Sequence, residues 1–311
     1  MSALPRTLLA IALVTALVAC LQPQFAVGQQ ENPAKVKVGV WINSIEKVDV
    51  PSQTFTIDFY IWFKYTEVRP NIEFMKGTVQ KIELITEEER QTENYLEYRV
   101  KGAYVTSLNF KDFPFDEHLL RVEIEDKERG SRELVFEPDR EESGLDPALE
   151  VPGWDVKDFV LKVDEHVYPD ENFSRFSFGV TVYRSKTSAL IKNFFPIAII
   201  TLISLLTFSI SVKNFGQRVG ICVTTLMSAV AYHLAALSGL PSLGYLTLFD
   251  RIMLVVYTLF LYNLLVSVQA MRLVEAGKVK EAETFETRMQ NLLPLVILVF
   301  FVIYVGLFSL V

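Results

Sequence analysis

The first part of the chain, up to about residue 185, alternates apolar and polar residues within short segments. In the segment TFTIDFYIWFKY, residues 54–65, every second side chain is aromatic or aliphatic: Phe55, Ile57, Phe59, Ile61 and Phe63. A period of two is typical of a β-strand with one buried face. Several such segments follow one another, separated by Pro, Gly, Asn and Asp. This arrangement predicts an all-β, immunoglobulin-like sandwich over residues 29–185.

The remainder of the chain has a different pattern, with four apolar runs at about 190–212, 219–238, 246–271 and 292–311. Each run is close to the length that an α-helix needs to cross the hydrocarbon core of a bilayer. We therefore predict an all-α domain of four transmembrane helices over residues 186–311, with the lipid bilayer as its surroundings.

The N-terminus carries an early cation, Arg6, followed by an apolar run from Leu8 to Val18. That run is short for a spanning helix and typical of an export signal, so we predict a signal peptide over residues 1–28. The residues that end in Cys20 also fit a lipoprotein signal, in which this cysteine would be lipidated. Both alternatives place the sandwich outside the cell membrane.

The charges of the helix connections agree with an exported sandwich. With four crossings, the N-terminal domain and the C-terminus both lie on the outer side. The inner connections then carry most of the cations: Lys213, Arg218, Arg272, Lys278, Lys280 and Arg288. The outer connection has only Arg251 at its edge, and this asymmetry follows the positive-inside rule.

The second apolar run has a stripe of small, polar or medium-sized residues that a helix surrounded by lipid would not need. The stripe recurs at steps of three and four residues: Gly220, Thr224, Met227, Ala231, Leu234 and Ser238. Such steps put all six on one helical face. Small residues can simply let membrane helices pack closely. Alternatively, several copies of the helix turn this face toward a shared water-filled axis and form a pore.

Composition narrows the class of protein further. The 311 residues carry a net charge of −7, and the acidic residues are dense in the first part of the chain. The three histidines are scattered, and no spacing indicates a metal site, a phosphate-binding loop or a catalytic nucleophile with its base. We expect no enzyme, no cofactor, no metal and no nucleic-acid partner. His233 lies in a membrane run, where we favour a packed histidine over a titrating sensor.

One soluble motif stands at the predicted boundary between the two domains. The segment LNFKDFPFDEHLL, residues 108–120, contains an aromatic-Pro-aromatic-Asp turn. Arg184 lies where the sandwich meets the first helix, twelve residues before Pro196. A cation at this junction needs a partner, and Asp116 is the carboxylate we expect to provide it.

Together with Gly153-Trp154-Asp155 and the threonine-bearing second helix, these motifs resemble the pentameric ligand-gated ion channels, or Cys-loop receptors. The resemblance covers nearly all of the chain after the predicted signal and is strongest for the bacterial branch that lacks the loop disulfide, because Thr106 and Leu120 occupy the positions of the family cysteines. It implies a homopentamer, each chain joined by four identical subunits around a central pore in a bacterial inner membrane. The second helix would line the pore, with Met227 and Leu234 near the gate.

The resemblance also implies two groups of functional residues in each subunit. Gating would pass through a layer at the junction: Glu46, Asp49, Phe113, Pro114, Phe115, Asp116, Arg184, Pro241 and Tyr245. A small-molecule agonist would bind near residues of the matching loops: Trp62, Phe63, Phe74, Glu125, Asp126, Lys127, Tyr168, Phe173 and Phe176. Any of these aromatic residues could instead be sandwich core. Lys127 disfavours a simple amine, so a carboxylate-bearing ligand or protons are equally open.

The identity of the permeating monovalent ions is left open by the residues at the inner end of the second helix. Gly216 and Gln217 stand where cation channels of the family place a glutamate. The residues from Arg218 to Gly220 are similar to the anion-selective branch. The acidic outer domain would concentrate cations, and we favour a cation channel on that ground. An anion channel and a non-conducting ligand sensor are the alternatives.

Overall fold

The computed structural model describes residues 32–306. The expected signal peptide over residues 1–28, including Cys20, lies outside the described residues, as do residues 307–311 of the expected last helix. Within the described range, the N-terminal part consists of strands and the C-terminal part of helices.

The N-terminal part is a sandwich of two sheets, as predicted. The strands are β1 Ala34–Asp49, β2 Thr54–Tyr65, β3 Ile72–Met75, β4 Gly77–Glu89, β5 Asn94–Val105, β6 Glu117–Asp126, β7 Leu134–Pro138, β8 Gly144–Leu145, β9 Asp155–Val167 and β10 Asn172–Tyr183. One sheet has the order β4-β5-β2-β1-β7, with β8 also paired to β1, and the other has the order β3-β6-β10-β9. The pairs of β1 with β7 and β8 are parallel, and the other pairs are antiparallel.

The alternating apolar residues of β2 form part of the core between the two sheets, as their period of two predicts. Phe55, Ile57 and Phe59 are at most 1% exposed. Phe59 meets Phe178 of the opposite sheet edge to face, with ring centroids 4.8 Å apart. Aromatic pairs favour this geometry. The core therefore joins β2 of one sheet to β10 of the other.

The C-terminal part contains four helices: α1 Lys186–Leu205, α2 Phe215–Leu237, α3 Leu248–Glu275 and α4 Val279–Phe301. A 3₁₀ turn, Leu206–Ser209, extends α1, and a π turn, Val302–Gly306, follows α4. All four are long and apolar enough to cross a membrane. Prolines lie inside α1 and α4, at Pro196 and Pro294.

The helix bounds differ from those expected from hydrophobicity, most of all for the fourth helix. We expected it to begin at about residue 292, but it begins at Val279. Its first three turns carry charged and polar residues, which sequence hydrophobicity assigns to a connection. Gly277, with φ +78°, lets the chain reverse tightly after α3. Hydrophobicity thus marks the part of a helix that suits lipid and misses the polar turns that continue it.

A buried carboxylate, Asp139, stabilises the sandwich after β7. Its side chain is fully buried and accepts hydrogen bonds from Trp62 Nε1 at 3.3 Å and Lys64 Nζ at 2.9 Å. Lys37 Nζ lies 3.1 Å from the other oxygen. Burial alone would raise the pKa of Asp139. The bonds from Lys64, Lys37 and Trp62 outweigh burial, so its pKa lies below the ordinary value of 3.8.

We expect Asp139→Ala to destabilise the sandwich by about 1–3 kcal/mol, because Trp62 and the mostly buried Lys64 lose their acceptor, while Lys64 keeps Glu142 and Lys37 is 43% exposed. In the wild-type protein, a lowered folded-state pKa gives stability that is fully present above 3.8 and is lost as the pH falls through the folded value. Thermal unfolding followed by tryptophan fluorescence checks both effects. Glu137→Ala, which removes an exposed pair with Lys35, is the matched control.

Candidate functional site

The loop between β5 and β6 joins the sandwich to the helices by supplying acceptors to the N-terminus of α3. Leu248 N donates to Lys111 O at 2.8 Å, and Phe249 N donates to Phe113 O at 3.1 Å. The first N–H groups of any helix have no partner within the helix. Here the soluble domain satisfies two of them. The β5–β6 loop and the start of α3 are therefore hydrogen-bonded to each other.

Side chains reinforce the same contact from both directions. Arg251 of α3 donates from Nη2 to Lys111 O at 3.1 Å. The hydroxyl of Tyr245, in the connection before α3, accepts a bond from Phe110 N at 2.9 Å. Thr247 and Asp250 form a capping box that fixes the start of α3. The β5–β6 loop thus meets a helix end whose position is well defined.

The expected ion pair at the domain junction is present. Arg184 Nε lies 2.9 Å from Asp116 Oδ1, and the Asp116 side chain is fully buried. The second oxygen of Asp116 contacts His118 Nε2 at 2.6 Å. The guanidinium of Arg184 also stacks over Trp154, 4.2 Å from the ring centroid. Asp116 therefore connects the end of β10 to the start of β6.

His118 is a member of this junction that sequence reasoning missed. It is 4% exposed and lies edge to face against Phe110 and Trp154, with centroids 5.0 and 5.1 Å away. Its only sequence signal is its place two residues after Asp116, which puts both on the inner side of the strand. One histidine without a recognisable partner spacing gives no basis for that inference.

A chain of aromatic rings extends from the loop to the second helix. Phe113 contacts Phe249 at 6.1 Å between centroids, and Phe249 contacts His233 of α2 at 5.6 Å. Phe115 stacks on Phe194 of α1 at 5.9 Å, and Phe194 in turn contacts Phe249 at 5.7 Å. The loop is thus packed, through Phe249, against residues from three of the helices.

His233 is bonded through both ring nitrogens to α3. Nδ1 lies 2.9 Å from Tyr257 Oη, and Nε2 lies 2.8 Å from Asp250 Oδ1. The same carboxylate accepts the capping bonds of Thr247 at the start of α3. This packed environment is the one we favoured for His233, and it fixes α2 to the helix end that receives the β5–β6 loop.

All six stripe residues lie on the exposed side of α2. Met227 and Leu234 are 67% and 68% exposed, and Gly220, Thr224, Ala231 and Ser238 are exposed as well. The opposite face is buried against the other helices through Arg218, Cys222, Thr225 and Ala229. Close packing within one subunit therefore does not account for the stripe.

Three of the expected coupling residues lie apart from the contacts that join the domains. Glu46 pairs with Lys101 at 2.5 Å, within the sandwich. Hydrogen bonds from Lys47 and Ser52 lower the pKa of the Asp49 carboxyl, in the turn after β1, to about 2. Pro241 is partly exposed in the connection between α2 and α3. The contacts described above are made by the other expected residues: Phe113, Phe115, Asp116, Arg184 and Tyr245. Pro114 lies between the two phenylalanines.

The expected agonist region contains a charged network across β6 and β10. Arg175 Nε donates to Glu125 Oε1 at 2.6 Å, and Tyr168 Oη donates to the other oxygen at 3.0 Å. Arg175 Nη1 also reaches Glu123 at 3.3 Å. Arg175 was not expected, because it is 50 residues away from Glu125 and only the pairing of β6 with β10 brings them together. The network holds the β9–β10 hairpin against β6.

Several residues of the expected ligand site are buried or bonded within the subunit. Phe63 and Phe176 are fully buried in the sandwich core, and Phe74 packs against Phe59 at 6.0 Å. Trp62 is bonded to Asp139, and Asp126 accepts bonds from three backbone N–H groups of the neighbouring loops. The aromatic residues lie inside the sandwich because of strand alternation, and Asp126 holds the neighbouring loops. These side chains therefore stabilise the fold. Glu125 is buried as well, at 4% exposed, whereas Tyr168 and Phe173 are partly exposed and Lys127 is exposed.

No family model matches the chain. A curated relative, the proton-gated ion channel of Gloeobacter violaceus, is 22% identical over 257 residues, which cover 74% of this chain and 71% of the relative. The alignment is long enough to include both the sandwich and helical segments.

The similarity and the architecture confirm the resemblance to the pentameric ligand-gated ion channels. A β-sandwich followed by four apolar helices is the arrangement that this resemblance implies. The four helices make the chain a membrane protein.

Proposed function

We propose that the chain is one subunit of a homopentameric ion channel opened by protons or by a small external ligand. The observation that carries the proposal is the exposed stripe of α2, whose six residues all lie opposite the buried face of the helix. A polar or small face on a membrane helix needs either another helix or water. Five copies arranged around one axis give each stripe a shared water column. The similarity to a proton-gated channel supports the same arrangement.

The domain junction supports gating from the outer side. The sandwich provides acceptors to α3, and α3 binds α2 through His233 and Phe249. A change in the sandwich therefore reaches the stripe-bearing helix through two contacts. A ligand opens such a channel only if it binds the open arrangement more tightly than the closed one. The Glu125–Arg175–Tyr168 network, with Lys127 and Phe173 beside it, is the proposed place for that binding.

We propose cations as the permeating ions and a bacterial inner membrane as the location, with the sandwich and the C-terminus outside. The acidic composition of the chain supports cations, because a negative vestibule raises their local concentration. An anion channel would give the opposite reversal potential in asymmetric salt. A non-conducting sensor would bind a ligand and change conformation without any current.

Cysteine accessibility tests the proposed lining. We expect Thr224→Cys, in a Cys222→Ser background, to conduct and then to lose most of its current when a charged, water-soluble thiol reagent is added. The reagent reaches a side chain only through water, and five modified side chains narrow the pore. Ala229→Cys in the same background is the control, since Ala229 is fully buried on the opposite face of α2. Rapid block of the control with no effect at Thr224→Cys would contradict the lining.

A further inference from the structure

Arg218 places a guanidinium within the first turn of α2, on the face opposite the stripe. It is 1% exposed, whereas Gln217 next to it is exposed. Gln217 precedes Gly220 by three residues and so continues the stripe by one more turn. The innermost side chain of the stripe on α2 is therefore a neutral amide, and the neighbouring cation lies inside the helix bundle.

The partner of Arg218 comes from the polar beginning of α4. Arg218 Nη2 donates to Glu286 Oε1, and Glu286 is 8% exposed. Nε and Nη1 of Arg218 have no hydrogen-bond partner among residues 32–306. An ionised residue inside a membrane bundle is costly and needs a partner. Glu286 provides the one carboxylate that the described structure brings to this guanidinium, so the buried position of Arg218 depends on it.

We propose that Glu286 is a positioning residue for ion selectivity, because it holds Arg218 inside the bundle and away from the ion path. This inference rests on the proposed channel function. Without the carboxylate, a long side chain near a helix end relieves its burial by extending toward water. The nearest water would be at the inner mouth, and five copies would form a ring of positive charge there. Such a ring repels cations and attracts anions.

The principal test is the single-channel current of Glu286→Gln in asymmetric sodium chloride. We expect the reversal potential to move toward that of chloride and the cation conductance to fall roughly threefold, as five screened charges near the path would produce. Glu283→Gln, an exposed glutamate one turn earlier in α4, is the matched control and should keep wild-type values. The double variant Arg218→Gln/Glu286→Gln should also keep them, since no charge is left to form the ring.

Arg218→Gln alone gives a second test that does not require Glu286→Gln to fold. If the guanidinium already lies away from ions, its removal leaves the reversal potential and the conductance unchanged. A changed conductance in Arg218→Gln would overturn the proposal. Wild-type values in a conducting Glu286→Gln would overturn it too. Both readouts describe the open pore and do not depend on how often it opens.

A thermal cycle separates this inference from the channel function itself. The midpoint of thermal unfolding should fall in each single variant and recover in the double variant, because each single change removes one partner of the buried pair. Additive changes, with no recovery, would overturn the pair whether or not the protein conducts. Recovery of the unfolding midpoint in the double variant, together with no current from the wild-type protein, would instead contradict the proposed function.

Discussion

Replacing Asp116 or Arg184 with alanine is expected to abolish agonist-evoked current or assembly. The Asp116 carboxylate is fully buried between Arg184 and His118, at the point where β10 leads into α1. Arg184→Ala leaves the buried Asp116 with only His118 beside it, and Asp116→Ala leaves the partly buried Arg184 without its carboxylate. Such changes cost up to about 3–5 kcal/mol. This loss of stability affects the junction that positions the β5–β6 loop. Because the loop contacts the start of α3, we expect α3 to be disturbed as well.

A neighbouring pair provides the control for this experiment. Glu117, the next residue, pairs with Lys157 at 2.9 Å, but both side chains are about half exposed. Exposed pairs contribute about 0–1 kcal/mol, so Glu117→Ala should gate normally. Whole-cell current and the pentamer fraction from size-exclusion chromatography distinguish failed gating from failed assembly. Robust currents from Asp116→Ala or Arg184→Ala would remove the ion pair from the mechanism.

The second large effect concerns the apolar members of the stripe. Met227 and Leu234 are the largest apolar side chains of the stripe, and each would form a ring in a pentamer. A ring of apolar side chains blocks ions by expelling water from the constriction. We expect Leu234→Thr to wet this region and raise the basal open fraction about tenfold or more, which corresponds to about 1.4 kcal/mol for the assembly. Met227→Thr should act in the same direction.

Leu226→Thr is the matched control for these substitutions. Leu226 lies on α2, about a quarter turn around the helix from Met227, and packs against the core of the subunit. The same hydroxyl is introduced, but away from the proposed water column. Its basal open fraction should stay close to that of the wild-type channel. Equal activation by Leu226→Thr and Leu234→Thr would show that the hydroxyl acts through general loosening of α2 and not through the gate.

The pattern of hydrophobic residues was sufficient for the architecture and for the face of α2. Period-two alternation in β2 predicted the sandwich core, and steps of three and four predicted a stripe that is exposed in the structure. The pair of Asp116 with Arg184 could be expected because a motif and a domain boundary marked its members. In each case the information lies in local spacing or at a recognisable boundary.

Contacts between distant segments could not be obtained in this way. Arg175 meets Glu125 only because β10 pairs with β6, and Arg218 meets Glu286 only because α4 begins thirteen residues earlier than its apolar run indicates. The sequence leaves open whether Phe63 and Phe176 belong to a ligand site or to the sandwich core, and in the structure both lie in the core. An aromatic residue has the same sequence signal in either place, and only packing separates the two.

The most direct test of the central claim is a recording from the purified wild-type protein in a planar bilayer. External pH and a panel of carboxylate and amine ligands would be varied, with sodium chloride held at different concentrations on the two sides. We expect discrete channel openings that depend on pH or ligand. The reversal potential should be displaced from zero toward the equilibrium potential of sodium. Intact pentamers that bind a ligand or protons but pass no current under any of these conditions would contradict the central claim.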